Sequence, residues 1–80
     1  MKLLKYIERL ELIHRLIAQR RTGTPLELAR RLDLSVSRLA RIIEELRDQG
    51  APIYYDRSNK TYYYDTPFLI EIVVRFENLN

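Results

Sequence analysis

Residues 24–49 read TPLELARRLDLSVSRLARIIEELRDQ, and GAPIYY at 50–55 follows at once. The start of this stretch is marked three times over. Thr24 suits an N-cap, Pro25 the first helical position, and Glu27, three residues after the cap, completes a capping box. A helix is therefore expected over about 25–32, with Leu26, Ala29 and Leu32 turned inward. The tripeptide DLS leaves room only for a tight connection, and Ser35 is the natural cap of the helix after it. That helix runs over about 36–49, with Leu39, Ile43 and Leu46 recurring at helical spacing. Gly50 supplies a left-handed residue to end it, and Pro52 prevents its return.

Outward from this pair, the chain opens on MKLLKYIERLELIHRLIAQRR. Leu3, Leu4, Ile7, Leu10, Ile13, Leu16 and Ile17 step by three and four, which predicts one apolar stripe on a helix over about 2–19. Lys2, Lys5, Glu8, Arg9, Glu11 and Arg15 interrupt it too often for a membrane span or a signal peptide, so a cytoplasmic protein is expected. Beyond Pro52 the period changes. IYYD and TYYYD are aromatic, strand-favouring runs joined by the turn RSNK, a hairpin over about 53–64. From Phe68 to Phe76, apolar residues alternate at 68, 70, 72, 74 and 76, which predicts a further C-terminal strand with one buried side. The expected fold is thus α+β, a single domain over 1–80 of three helices, a hairpin and a last strand.

Composition narrows the chemistry. The chain has no cysteine, so disulfides and thiol catalysis are excluded, and with His14 as its single histidine nothing points to a metal site. Net charge is +3, unevenly spread: residues 1–60 hold thirteen Lys+Arg against eight Asp+Glu, and residues 61–80 one against three. Eleven of the fourteen bases are arginine, the side chain suited to bidentate contact with phosphate. A basic body with an acidic end suits a polyanionic partner.

Two helices joined by a tight turn, followed by a hairpin, make a helix-turn-helix unit with a wing. Over residues 12–64 the chain resembles the winged helix-turn-helix domain at the front of WYL- or DeoR-type bacterial transcription regulators. The resemblance rests on LELARRLDLSVSRLARIIEELRDQGAPIYYDRSNKTYYY, in which Leu28, Ala29, Leu32, Leu34, Ser35, Leu39, Arg41, Ile43, Leu46, Gly50, Pro52 and Ile53 fall in register. It implies a transcriptional regulator that reads double-stranded DNA with helix 36–49 and the wing at 57–60. Relatives usually carry an effector domain after the wing, whereas this chain is expected to be a small, stand-alone protein. A helix fits the major groove, and side chains near its N-terminal end reach base edges.

The candidate contacts follow from that placement. Early in the helix, Ser35, Val36, Ser37, Arg38, Ala40 and Arg41 are expected to face the duplex. Arg38 or Arg41 suits a guanine edge or a phosphate, Ser37 a backbone oxygen, and Val36 or Ala40 a thymine methyl. Arg20, Arg21 and Thr22 stand before helix two, whose N-terminus suits a phosphate, and Arg57, Asn59 and Lys60 form the wing tip. The chain departs from the regulators it resembles at Val36 and Ala40, where arginine and tyrosine are frequent. It departs also at Ile42, where aspartate is frequent, and at Asp33, where glycine is. An outward face of Val36, Ala40 and Ile42 would instead suit a protein partner, the alternative to DNA.

The remaining features read as structure. Tyr54, Tyr55, Tyr62, Tyr63 and Tyr64 can stack on bases, but alternation turns about half of them inward and tyrosine is a good strand former. His14 is read as a partly exposed surface residue. Glu44, Glu45 and Asp48 point in different directions on a helix and read as a solvated face. No catalytic constellation, cofactor motif or small-molecule pocket is legible, so the chain is not read as an enzyme. A homodimer built from helix one, the final strand or both is expected, presenting two recognition helices to a palindromic site.

Overall fold

The computed structural model describes residues 2–73 and 75–78. Three helices, α1 (Lys2–Ala18), α2 (Pro25–Arg31) and α3 (Val36–Asp48), precede a hairpin of β1 (Ile53–Asp56) and β2 (Thr61–Tyr64). The fold is small α+β, with helix and hairpin boundaries close to those the sequence predicts. No helix among the described residues is long and apolar enough to cross a membrane.

Both expected caps form. Glu27 N–H donates to Thr24 Oγ1 at 3.2 Å, and Thr24 N–H donates to Glu27 Oε1 at 3.0 Å, closing the capping box. Ser35 Oγ accepts from Arg38 N–H at 3.1 Å and fixes the first turn of α3. The helix ends share one device. After each helix a left-handed residue turns the chain: Arg20 (φ 55°), Asp33 (φ 57°) and Gly50 (φ 101°). In each case its N–H and the next one fold back onto the last turn. The pairs are Arg20 to Ile17 and Arg21 to Leu16, Asp33 to Arg30 and Leu34 to Ala29, and Gly50 to Arg47 and Ala51 to Leu46. This is the Schellman arrangement, used three times, with glycine in only one of them.

The core gathers around Ile13, Ile17, Leu28, Leu39 and Ile53, the largest fully buried side chains. Leu16, Ala29, Leu32, Ile42, Ile43, Ala51, Tyr62 and Tyr64 complete it. Three expectations need correction here. Leu26 is 49% exposed and Leu28 takes the inward place, because a helix of seven residues has one buried stripe and Leu28–Ala29 lie on it. Ile42 is buried rather than outward, beside a groove where Tyr6 and Leu10 of α1 meet Leu46 of α3. Leu3 and Leu4 are exposed, so the stripe on α1 is used only in its C-terminal half, where Ile13, Leu16 and Ile17 are buried.

The hairpin pairs Ile53 with Tyr64, Tyr54 with Tyr63, Tyr55 with Tyr62 and Asp56 with Thr61. Ile53, Tyr55, Tyr62 and Tyr64 share the core-facing side, where Tyr55 and Tyr62 meet edge to face at 5.0 Å between centroids. Burial pushes the Tyr64 hydroxyl up to about 12, and raises that of Tyr62 as well. Arg47 Nε donates to the Ile53 carbonyl at 3.0 Å and ties the end of α3 to β1.

The C-terminal strand expected at 68–76 is not formed among its described residues (Val74 lies outside them). The alternation holds as far as residue 73, where Phe68, Ile70 and Ile72 are half-buried while Leu69, Glu71 and Val73 are exposed. Phe76, expected on the buried side, is 87% exposed. Ile70 and Ile72 line a cleft with His14, Arg15 and Ala18 of α1, and Phe68 stacks near Tyr64 at 5.4 Å. A period of two reports extended backbone with one covered side. Here a helix covers it, so no ladder of hydrogen bonds is required.

The left-handed Asp33 gives a test of the turn. Asp33→Gly should exceed Asp33→Ala in stability by about 1 kcal/mol, because alanine carries the Cβ penalty without the tolerance aspartate has there. Thermal denaturation of the pair measures the difference, and equal midpoints would contradict the assigned geometry.

Candidate nucleic-acid interface

Burial of Leu39, Ile42 and Ile43 leaves the opposite side of α3 to solvent. Ser35, Val36, Ser37, Arg38, Ala40 and Arg41 are all exposed, Val36 at 43%. At 100° per residue they divide around the helix. Val36 and Ala40 lie in line with Arg47, on the flank that Arg47 bonds to β1. Arg38 lies in line with Glu45, on the flank that meets Tyr6 and Leu10 of α1. Ser37 and Arg41 point directly outward, and the Ser35 and Ser37 hydroxyls lie 3.2 Å apart.

The structure adds one residue that the sequence reading missed. Arg9 of α1 lines the same shallow groove as Asp33, Ser35, Ser37, Arg38 and Arg41. Periodicity had placed Arg9 on the polar side of α1, but only the packing of α1 on α3 shows which polar residues reach the turn. Among the described residues the ion pairs are Arg47–Glu44 and Arg75–Glu77, so Arg9, Arg38 and Arg41 are not neutralised by carboxylates at salt-bridge distance.

A second cluster forms around the hairpin tip. Asp56 accepts from Ser58 N–H at 2.9 Å, Asn59 N–H at 3.2 Å and Asn59 Nδ2 at 2.7 Å. The Asn59 side chain therefore organises the hairpin tip, leaving Arg57 and Lys60 as its exposed cations. These bonds, the Asn59 side chain's first, lower the Asp56 pKa. The order they impose is complete above the ordinary aspartate range and is lost as pH falls through the lowered value. Arg20 sits over the Tyr63 ring at 4.8 Å, while Arg21 is exposed.

Thr22 is not a contact residue. It is buried, 3% exposed, and clasps the hairpin. Its N–H donates to Thr61 Oγ1 at 3.2 Å, and its Oγ1 accepts from Tyr62 N–H at 2.8 Å. The N-terminus of α2 is also unsuited to phosphate, since the Glu27 carboxylate already holds the Thr24 N–H there and stays ionised, its pKa lowered chiefly by that bond. His14 is partly exposed, as expected, and its Nδ1 lies 2.8 Å from the Tyr64 hydroxyl. Tyr54 is exposed and packs beside Tyr63 at 6.1 Å. Among the described residues no group of three or more His, Asp or Glu side chains is placed to hold a metal ion. Compared with family models, with curated proteins and with solved structures, the chain matches none.

The clasp predicts a clean separation of roles. Thr22→Val removes the acceptor of a buried N–H and should cost about 1–3 kcal/mol in urea denaturation, whereas Arg21→Ala should leave the midpoint unchanged. Equal effects would return Thr22 to the surface.

Proposed function

We propose that this chain is a winged helix-turn-helix protein that binds double-stranded DNA as a transcriptional regulator. The carrying observation is the solvent-facing N-terminal half of α3, with Ser35, Ser37, Arg38 and Arg41 unburied and no carboxylate paired to either arginine among the described residues. The Schellman turn at Asp33 brings α2 to α3 as a helix-turn-helix, and the hairpin stands beside it as the wing. In this reading α3 enters the major groove, Arg41 addresses a base edge or phosphate, and Arg57 and Lys60 hold the backbone. Two copies pair on a palindromic site. Exposed Leu3, Leu4 and Tyr6 beside Lys2 and Lys5, and exposed Leu69, Val73 and Phe76 beside Glu71, support that pairing with complementary apolar and charged surfaces.

Val36 and Ala40 favour a second reading, a module that docks a protein partner through the same helix. Titration of fluorescent duplex DNA separates the two. If about five cations neutralise phosphates, log affinity falls against log salt with a slope of about −4.5. Arg41→Ala should weaken binding by about 1–3 kcal/mol. Absence of binding in low salt would replace this reading with protein docking. Light scattering on the eluting peak should give twice the chain mass, and a monomer at high micromolar concentration would remove the twofold arrangement.

A further inference from the structure

A helix seated in a major groove has one phosphate strand along each flank. On one flank of α3 stand Val36 and Ala40, in line with the hairpin whose tip carries Arg57 and Lys60. On the other, α1 brings Arg9 to the groove that Arg38, Arg41, Ser35 and Ser37 line. A neighbouring cleft continues this surface along α1, adding Lys5 and Arg31. Lys5, Arg9, Arg31, Arg38 and Arg41 thus border two adjoining clefts that contain only Glu8 and Asp33 as acids. No ion pair among the described residues spends any of these cations. Five positive charges against two acids leave this surface with an excess of positive charge, which an anion placed there relieves.

We propose that Arg9 of α1, with Arg38 and Arg41 of α3, clamps a phosphate of the DNA strand on the flank away from the wing. This deepens the duplex-binding reading and rests on it. The wing holds one strand and the α1 side holds the other, so that α3 is fixed from both sides although Val36 and Ala40 offer only apolar contact. The guanidinium of Arg9 donates to a non-bridging phosphate oxygen, a charge-assisted bond that carries no sequence information. Asp33, which lines the same groove and the adjoining cleft, is its built-in opponent, placing a carboxylate beside the anion. Arg9 is therefore an affinity and positioning contact, and Arg38 and Arg41 share the phosphate with whatever base edges they reach.

Fluorescence anisotropy with the full chain and duplexes of random sequence tests this, using wild type, Arg9→Gln, Arg9→Lys and Asp33→Asn. Glutamine keeps most of the stem that packs on the turn, and asparagine keeps the left-handed backbone that residue 33 needs. Removing one of the cations on the phosphate should shallow the salt slope by at most about 0.9, since Arg38 and Arg41 still hold it. At 0.1 M salt that weakens binding by up to about eightfold relative to the 1 M extrapolation. Arg9→Gln should show both effects equally on every duplex, and Arg9→Lys should restore most of the affinity. Asp33→Asn should tighten binding about threefold, because a like charge leaves the groove. Arg9→Gln with unchanged affinity and slope overturns the clamp while leaving duplex binding intact. A wild-type chain that binds no duplex in low salt overturns both. A loss of affinity in Arg9→Gln through misfolding is separated by Asp33→Asn, since an unoccupied groove would leave that variant indistinguishable from wild type and so overturn the clamp as well.

Discussion

The inner face of α3 governs everything outside it. Leu39 and Ile43 are buried in one cluster with Ile13, Ile17 and Leu28, and each such side chain contributes roughly 1.5–3 kcal/mol by leaving water. In a chain of 80 residues that is a large part of what folding can yield. The rotation of α3 about its axis is therefore set by packing, with no freedom left for the exposed side chains to choose it. Ser37 and Arg41 face solvent because Leu39, Ile42 and Ile43 cannot. Ser35 then fixes where the helix begins, so the first turn projects the same side chains in every molecule.

The hairpin is held by a different kind of interaction. Two strands of four residues do not support themselves in water. Here Tyr62 and Tyr64 give the pair an apolar side, Arg47 ties β1 to α3, and Thr22 ties β2 to the loop after α1. The threonine clasp satisfies the Tyr62 N–H that faces away from β1, so that donor on the hairpin's edge is paired without a third strand. The tip is left to its own chemistry, and Asp56 orders it through three bonds. Arg57 and Lys60 are thereby carried on a defined turn.

What the sequence made legible was whatever its signals encode locally. Thr24–Glu27, Ser35 and Gly50 act within one helical turn, so their spacing predicts the caps that form. Thr22 carried no such signal, because its partner Thr61 lies 39 residues away and a threonine in a polar loop looks like any surface hydroxyl. The left-handed turns at Arg20 and Asp33 were hidden for a related reason. Glycine is the usual mark of that conformation, and only the fold-back bonds reveal it at other residues. The tail from Phe68 misled because alternation is common to strands and to any extended segment lying on a helix. Arg9 escaped notice since a polar residue on α1 gains meaning only when α1 is seen against the turn.

The distribution of charge around α3 gives the arrangement its logic. A reader with arginine on the wing-side flank would concentrate its affinity and its selectivity on one row of side chains. This chain carries Val36 and Ala40 there, beside an Arg47 already bonded to Ile53 and Glu44. It puts its other cations elsewhere, with Arg38 and Arg41 on α3, Arg9 across the groove, and Arg57 and Lys60 at the tip. In the DNA-binding reading proposed above, positive charge spread in this way would track the two edges of a groove more than its floor. Such a surface would gain much of its binding from counterion release and read sequence through few base contacts. Selectivity would then depend on how rigidly those few contacts are held. The capped start of α3 and its buried inner face supply that rigidity, which is where the core and the interface become one design.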